Sequence, residues 1–153
     1  MFAACRRRKR RIFSRVYPWA GELRKDIGLM AKNRSGFVVA YGPSQNIPGV
    51  LAAVFAALKA ESDLRGLDAD AMAKRLAYFY GELDAIHAFR DGNSRTLRAF
   101  TADLAEKAGH RLDWTRAAQA GEDRQRLYHA RDLAVMRGDL SELAAIIWTN
   151  LVG

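Results

Sequence analysis

The residues best suited to chemistry fall within one short segment, His87-Ala88-Phe89-Arg90-Asp91-Gly92-Asn93-Ser94-Arg95-Thr96-Leu97-Arg98. It brings together an imidazole, a carboxylate, a glycine-containing turn and two guanidiniums. A neutral imidazole can take a proton from an attacking hydroxyl. Gly92, Asn93 and Ser94 stand where a helix begins, so their backbone N–H groups lack intrahelical partners and the helix dipole adds positive potential. Such a turn is an anion site, and a residue without a side chain at Gly92 lets a phosphate approach the backbone. Arg95 and Arg98 are three apart and share a helix face, roughly opposite the one that bears Leu97, Phe100 and Leu104. The apolar side can pack inward while two forked cations address a polyphosphate. Asp91 beside a phosphate is repulsive unless a divalent cation bridges the two, and Mg2+ commonly binds through one or two carboxylates plus substrate phosphates. The end of a helix also favours a protonated histidine, which works against His87 as a base.

The flanking patterns supply the elements that must position this segment. Residues 70–87 carry Met72, Leu76, Phe79, Leu83 and Ile86 at steps of four, three, four and three, one apolar stripe of a helix. Residues 94–108 repeat the pattern with Leu97, Phe100 and Leu104 and stop at Gly109. Upstream, Pro48 suits the first turn of a helix with Leu51, Val54, Phe55 and Leu58 on its inner face. Downstream, a helix is predicted from Glu122 to Arg137, stopped by Gly138, and another opens on the Asp139/Glu142 start signature and runs through Leu151. Residues 27–32 and 37–41 read as short strands joined by a turn at Asn33-Arg34-Ser35-Gly36. A two-stranded ribbon is marginal alone and must lie on a helical body. The expected fold is all-α, a small helical bundle with one β-hairpin.

The segment from His87 to Arg98 resembles the signature of the Fic family, His-x-Phe-x-Asp/Glu-Gly-Asn-Gly/x-Arg-x-x-Arg. His87, Phe89, Asp91, Gly92, Asn93, Arg95 and Arg98 match it; Ala88 stands at the usual proline and Ser94 at the usual glycine. Ser94 keeps a backbone donor and is a reasonable helix cap. Pro18-Trp19-Ala20-Gly21-Glu22-Leu23-Arg24 looks like the stretch before the family's hairpin, the flap that holds a target segment. Arg131-Asp132-Leu133-Ala134-Val135-Met136-Arg137-Gly138-Asp139 looks like the tail of bacterial Fic toxins.

This resemblance implies a Fic-fold bundle and a protein adenylyltransferase that moves AMP from ATP to a Ser, Thr or Tyr hydroxyl. His87 would be the general base and Asp91 the ligand of Mg2+ against the α- and β-phosphates. The backbone of Gly92 to Ser94, with the Asn93 side chain, would receive the α-phosphate. Arg95 would contact the β-phosphate and Arg98 the γ-phosphate, with Phe89 buried as an anchor. The flap residues Phe37, Val38, Val39, Ala40 and Tyr41 would align a target strand by backbone pairing. Many relatives carry, or receive from a partner, a helix Ser/Thr-x-x-x-Glu-Gly/Asn whose glutamate pairs with the second motif arginine, Arg98 here. That pattern does not occur in this chain. The expectation is therefore the toxin of a toxin–antitoxin pair, with a small antitoxin supplying the helix and a host enzyme, such as a topoisomerase, as target. Other members of the fold transfer phosphate from a reversed nucleotide, or use UMP or phosphocholine donors.

With 153 residues, the chain suits one domain; residues 1–13 read as a basic N-terminal segment and 14–153 as the Fic domain. The charge of +8, from 25 basic and 17 acidic residues, favours anionic partners without choosing among them. Part of it is the basic run Arg6 to Arg11, which gives a second class of reading, a basic helical module that binds nucleic acid. The single cysteine, Cys5, excludes an internal disulfide. No apolar run approaches the roughly 20 residues of a membrane-spanning helix, no secretory signal is visible, and a cytoplasmic location is expected. His110 and His129 lack spacing for a metal, and Trp19, Trp114 and Trp148 are expected in the core.

Overall fold

The computed structural model describes residues 10, 14–15, 18–25, 30–34 and 37–152. Cys5 and all of Arg6 to Arg11 except Arg10 lie outside these, as does nearly all of the expected basic segment.

The first ordered pair is an antiparallel hairpin of β1 (Met30–Arg34) and β2 (Phe37–Tyr41), with Met30 opposite Tyr41 and Arg34 opposite Phe37. Of the expected strand over 27–32, residues 27–29 lie outside the described residues, and the described strand runs on to Arg34. Asn33 and Arg34, expected in the turn, pair with Val38 and Phe37 inside the ladder, and Ser35 and Gly36 lie outside the described residues.

Six helices follow. Helix α1 (Ile47–Ala60) has Pro48 in its first turn, where the missing N–H costs no hydrogen bond, and buries Ile47, Leu51, Val54, Phe55 and Leu58. Helix α2 (Ala69–Ile86) starts where the Asp68 carboxylate accepts from the Ala71 N–H at 2.8 Å. Helix α3 (Asn93–Lys107) buries Leu97, Phe100 and Leu104 as its periodicity requires. A short α4 (Thr115–Ala118) precedes α5 (Glu122–Arg137), which ends on Gly138 in the left-handed region at φ 68°. Helix α6 (Ser141–Asn150) completes the bundle.

Helix α2 is the hub. It packs against α1, α3, α5 and α6, and its buried positions extend well beyond a single stripe: Met72, Ala73, Leu76, Ala77, Phe79, Tyr80, Gly81, Leu83, Asp84 and Ile86. A helix covered on most sides needs small residues where a neighbour comes close. Gly81 is that place, because a Cβ there would stand 3.2 Å from the Leu140 side chain and 3.6 Å from that of Ala134.

Three features depart from the sequence expectation. The last helix stops at Asn150, whose side chain donates to the Ile146 carbonyl at 2.8 Å. Leu151 instead belongs to β4 (Leu151–Val152), which pairs with β3 (Arg111–Leu112) in a two-residue ladder that hydropathy periodicity could not show. The Asp139 carboxylate accepts from the Ser141 N–H at 3.0 Å, as a start signal should, but Glu142 accepts from Arg126 at 2.9 Å rather than folding back as a capping box. Among the tryptophans, Trp114 is buried and Trp148 is 58% exposed, so Trp148 is not a core residue. His110 has a structural role: its Nε2 lies 2.8 Å from the Leu67 carbonyl.

Gly81→Val should lower stability by about 1–3 kcal/mol in urea denaturation, since branched bulk there meets the α6 approach and α5 at once; an unchanged midpoint would show that the contact relaxes without cost.

Candidate active site

The turn between α2 and α3 owes its shape to two residues in left-handed backbone. His87 ends α2 at φ 47°, ψ 56°, and Gly92 opens α3 at φ 72°, ψ 13°. Glycine adopts this region readily, whereas a histidine there costs on the order of 1 kcal/mol or more and must be held by its surroundings. Asn93 does part of the holding. Its Oδ1 accepts from the Phe89 N–H at 2.9 Å and its Nδ2 donates to the Phe89 carbonyl at 2.7 Å. The Asn93 amide therefore faces the turn's own backbone, and Phe89, 3% exposed, anchors the turn in the core as expected.

Arg24 holds the other side, and it is 1% exposed. Its Nε donates to the His87 carbonyl at 2.8 Å, and its Nη2 reaches the carbonyls of Ile86, at 3.4 Å, and Gly42. Its backbone N–H donates to the Ala88 carbonyl at 2.9 Å. One guanidinium thus satisfies carbonyls at the end of α2 and ties them to the residue that follows β2. A cation already sits at this negative helix end, so the dipole is not left for the imidazole alone to answer. The Pro18–Arg24 stretch marked this region in the sequence, but nothing there showed that Arg24 would clamp the turn.

Above the turn opens a cleft of about 470 Å3 lined by His87, Asp91, Gly92, Asn93, Ser94, Arg95 and Arg98, together with Lys32, Ala118, Arg124, Tyr128 and Arg131. Every motif residue singled out for nucleotide, metal or base chemistry borders this one space. His87 is 2% exposed, and its ring stacks on Tyr41 with centroids 3.9 Å apart and planes 22° apart. Arg95 and Asp91 approach to 3.8 Å with both side chains about half exposed. An ion pair so exposed is weak and yields readily to a ligand charge. The sequence reading missed Lys32, Arg124, Tyr128 and Arg131. The last three recur at steps of four and three along α5 and so share a face, the only signal available.

Ser94 is not a helix cap: α3 already begins at Asn93 with Gly92 as its cap residue, which places Ser94 inside the first turn. Its hydroxyl oxygen accepts from Arg98 Nη1 at 2.7 Å and from Arg131 Nη1 at 2.9 Å. Arg131 is itself locked to Asp84 of α2, Nε to Oδ2 at 3.0 Å and Nη2 to Oδ1 at 2.7 Å, with both side chains at most 1% exposed. Burial pulls the Arg131 pKa down, but the charge and hydrogen bonds of Asp84 hold the guanidinium above its ordinary value. Burial pushes the neighbouring Tyr80 phenol up, keeping it neutral.

Along β2, Val39 and Tyr41 are buried while Val38, 65% exposed, and Ala40 face outward. Phe37 opens the strand. No group of three His, Cys, Asp or Glu side chains that could hold a metal occurs among the described residues. The half-exposed Asp91, bordering a cleft otherwise rich in cations, fits a cation that arrives bound to phosphates rather than one held by protein ligands alone. No described helix is long and apolar enough to cross a membrane.

A family model described as "Fic/DOC family" matches residues 4–105. The protein adenylyltransferase VbhT of Bartonella schoenbuchensis is 35% identical over 147 residues, covering 93% of this chain and 27% of that protein. The probable protein adenylyltransferase y4lH of Sinorhizobium fredii is 33% identical, covering 95% of this chain and 70% of that one. The chain thus spans about a quarter of the first relative and about two thirds of the second. Among solved structures, the BepC protein of Bartonella tribocorum with bound AMPPNP superposes with a TM-score of 0.85 at 22% identity, covering 99% of this chain and 74% of that one. The N-terminal FIC domain of Bep8 from Bartonella sp. 1-1C gives 0.82 at 25% identity, with coverage of 95% and 70%.

Arg24→Lys keeps the charge but cannot span three carbonyls. It should cost about 1–3 kcal/mol through buried acceptors left unmatched, and amide exchange at Ala88 and Phe89 should quicken ahead of global unfolding; exchange at the wild-type rate would remove Arg24 as the clamp.

Proposed function

The chain belongs to the Fic/DOC family, and from that premise we propose that it is a protein adenylyltransferase, transferring AMP from ATP to a Ser, Thr or Tyr hydroxyl of a target protein. The observation that carries this reading is the single cleft on which His87, Asp91, the opening residues of α3, Arg95 and Arg98 all border. In the proposed reaction the target hydroxyl oxygen attacks the α-phosphorus while His87 takes its proton. The bond from the α-phosphorus to the bridging oxygen breaks, and pyrophosphate leaves with the electron pair.

The first N–H groups of α3 receive the α-phosphate, because they point along the helix dipole toward the cleft. Asn93 holds that turn in shape through Phe89 and, bordering the cleft, would also receive the α-phosphate. Arg95 and Arg98 take the β- and γ-phosphates, an arrangement that presents the α-phosphorus rather than the γ-phosphorus to the acceptor. Asp91 would hold Mg2+, which when bound offsets charge on the phosphates. Fixed positive groups at the site of developing negative charge supply much of the rate. The outward positions of β2 offer a target segment an edge beside His87. A partner helix bearing a glutamate would silence the site by pairing with Arg98, and this is the form an antitoxin would take.

His87→Ala should reduce AMP transfer by on the order of 100-fold or more while ATP affinity stays close to that of the unaltered chain. With a cell extract as acceptor, label should move from α-labelled and not from γ-labelled ATP, with mass spectrometry placing AMP on a hydroxyl side chain. Label arriving from the γ position alone would overturn the assignment.

A further inference from the structure

We infer that Ser94, backed by the buried Arg131–Asp84 pair, is a positioning residue that holds the Arg98 guanidinium ready for the outer phosphates of a nucleoside triphosphate. The inference rests on the functional reading above and concerns residues outside the motif's charged set. Ser94 and Arg98 are four apart on α3, so the hydroxyl lies directly beneath the arginine side chain. A hydroxyl oxygen offers two lone pairs, and here both are used, one by Arg98 at 2.7 Å and one by Arg131 at 2.9 Å.

Two guanidiniums converging on one neutral oxygen repel each other, and the structure deals with that on one side only. Asp84 grips Arg131 with both oxygens in a buried, bidentate pair, so Arg131 is neutralised in place and acts as a rigid donor. Arg98 is treated differently. Its tether is a hydroxyl, which fixes the side chain without cancelling its charge, and only one N–H is committed to it. The other N–H groups of Arg98 stay available to the cleft that both residues border. A long arginine side chain loses much rotamer freedom when it binds a phosphate. Holding it beforehand removes part of that loss from the binding step, which is the general benefit of preorganisation. A glycine at position 94, usual in the family, would leave Arg98 without this restraint, so the tether belongs to this chain's own combination of Ser94, Arg131 and Asp84.

The consequence is selective. Triphosphate binding depends on the tether, whereas a monophosphate, whose single phosphate sits at the turn, does not. Affinities of the full chain for ATP with Mg2+ and for AMP, measured by calorimetry, should separate under Ser94→Ala: ATP binding weakens on the order of 5- to 10-fold and AMP binding stays constant. In transfer assays the same variant should raise KM for ATP with kcat little changed. Ser94→Thr, which keeps the hydroxyl, should restore the ATP-to-AMP preference. Equal weakening of both nucleotides, unchanged or tighter ATP binding in Ser94→Ala, or a Thr variant that behaves like Ala would overturn the tether. Wild-type protein that binds no ATP would instead overturn the functional reading beneath it.

Discussion

The whole site depends on reconciling two helix ends that meet in one short turn. The end of α2 presents carbonyls in need of donors, and the start of α3 presents N–H groups in need of acceptors. If each satisfied the other, the turn would be closed and chemically inert. Arg24 prevents that by supplying a buried guanidinium to the carbonyls of Ile86 and His87, while Asn93 closes the middle of the turn on Phe89. The donors at the head of α3 are then left facing the cleft. The proposed anion site is thus a product of what is satisfied elsewhere, and the left-handed backbone of His87 and Gly92 is the geometry that keeps the two ends apart.

Charge is distributed around that turn with the same economy. The cleft is bordered by Lys32, Arg95, Arg98, Arg124 and Arg131 against one carboxylate, Asp91. Of the arginines, Arg131 is paired in the interior and serves as scaffold. A buried ion pair of this kind gains little net stability over apolar packing, yet removing one partner would strand a charge at a cost of about 3–5 kcal/mol. Its value here is geometric, since it joins α2 to α5 beside the first turn of α3. Helix α2 can play this part because Gly81 lets α5 and the approach to α6 come close, and because Asp84 lies one turn before His87 on the same helix.

Much of this was legible in the sequence, for physical reasons. Apolar spacing of three and four located α1, α2 and α3 with their inner faces, because burying a stripe is what fixes a helix in a bundle. The His87–Arg98 segment was legible because its chemistry is local: one turn and the helix ends that flank it. What stayed hidden depends on contacts across the chain. Arg24 meets His87 from 63 positions away, and Arg131 meets Asp84 from 47. Their own neighbourhoods mark the regions but not the partners these two arginines meet. The β3–β4 ladder is two residues long and carries no periodicity, so Leu151 was read as helix. Trp148 was placed inside by its hydropathy alone, and Ser94 was read as a cap because sequence cannot say whether the cap lies two residues earlier, at Gly92.

The stacked rings of Tyr41 and His87 give the hairpin a fixed origin of measurement. Positions along β2 are counted from the imidazole in strand units of roughly 3.4 Å, with successive side chains on opposite faces. A polypeptide laid beside that ribbon would present every second side chain toward that imidazole, and a slip of one residue would turn a hydroxyl to the far face. Choice of acceptor would then follow from register along the ribbon more than from the identity of the neighbouring residues.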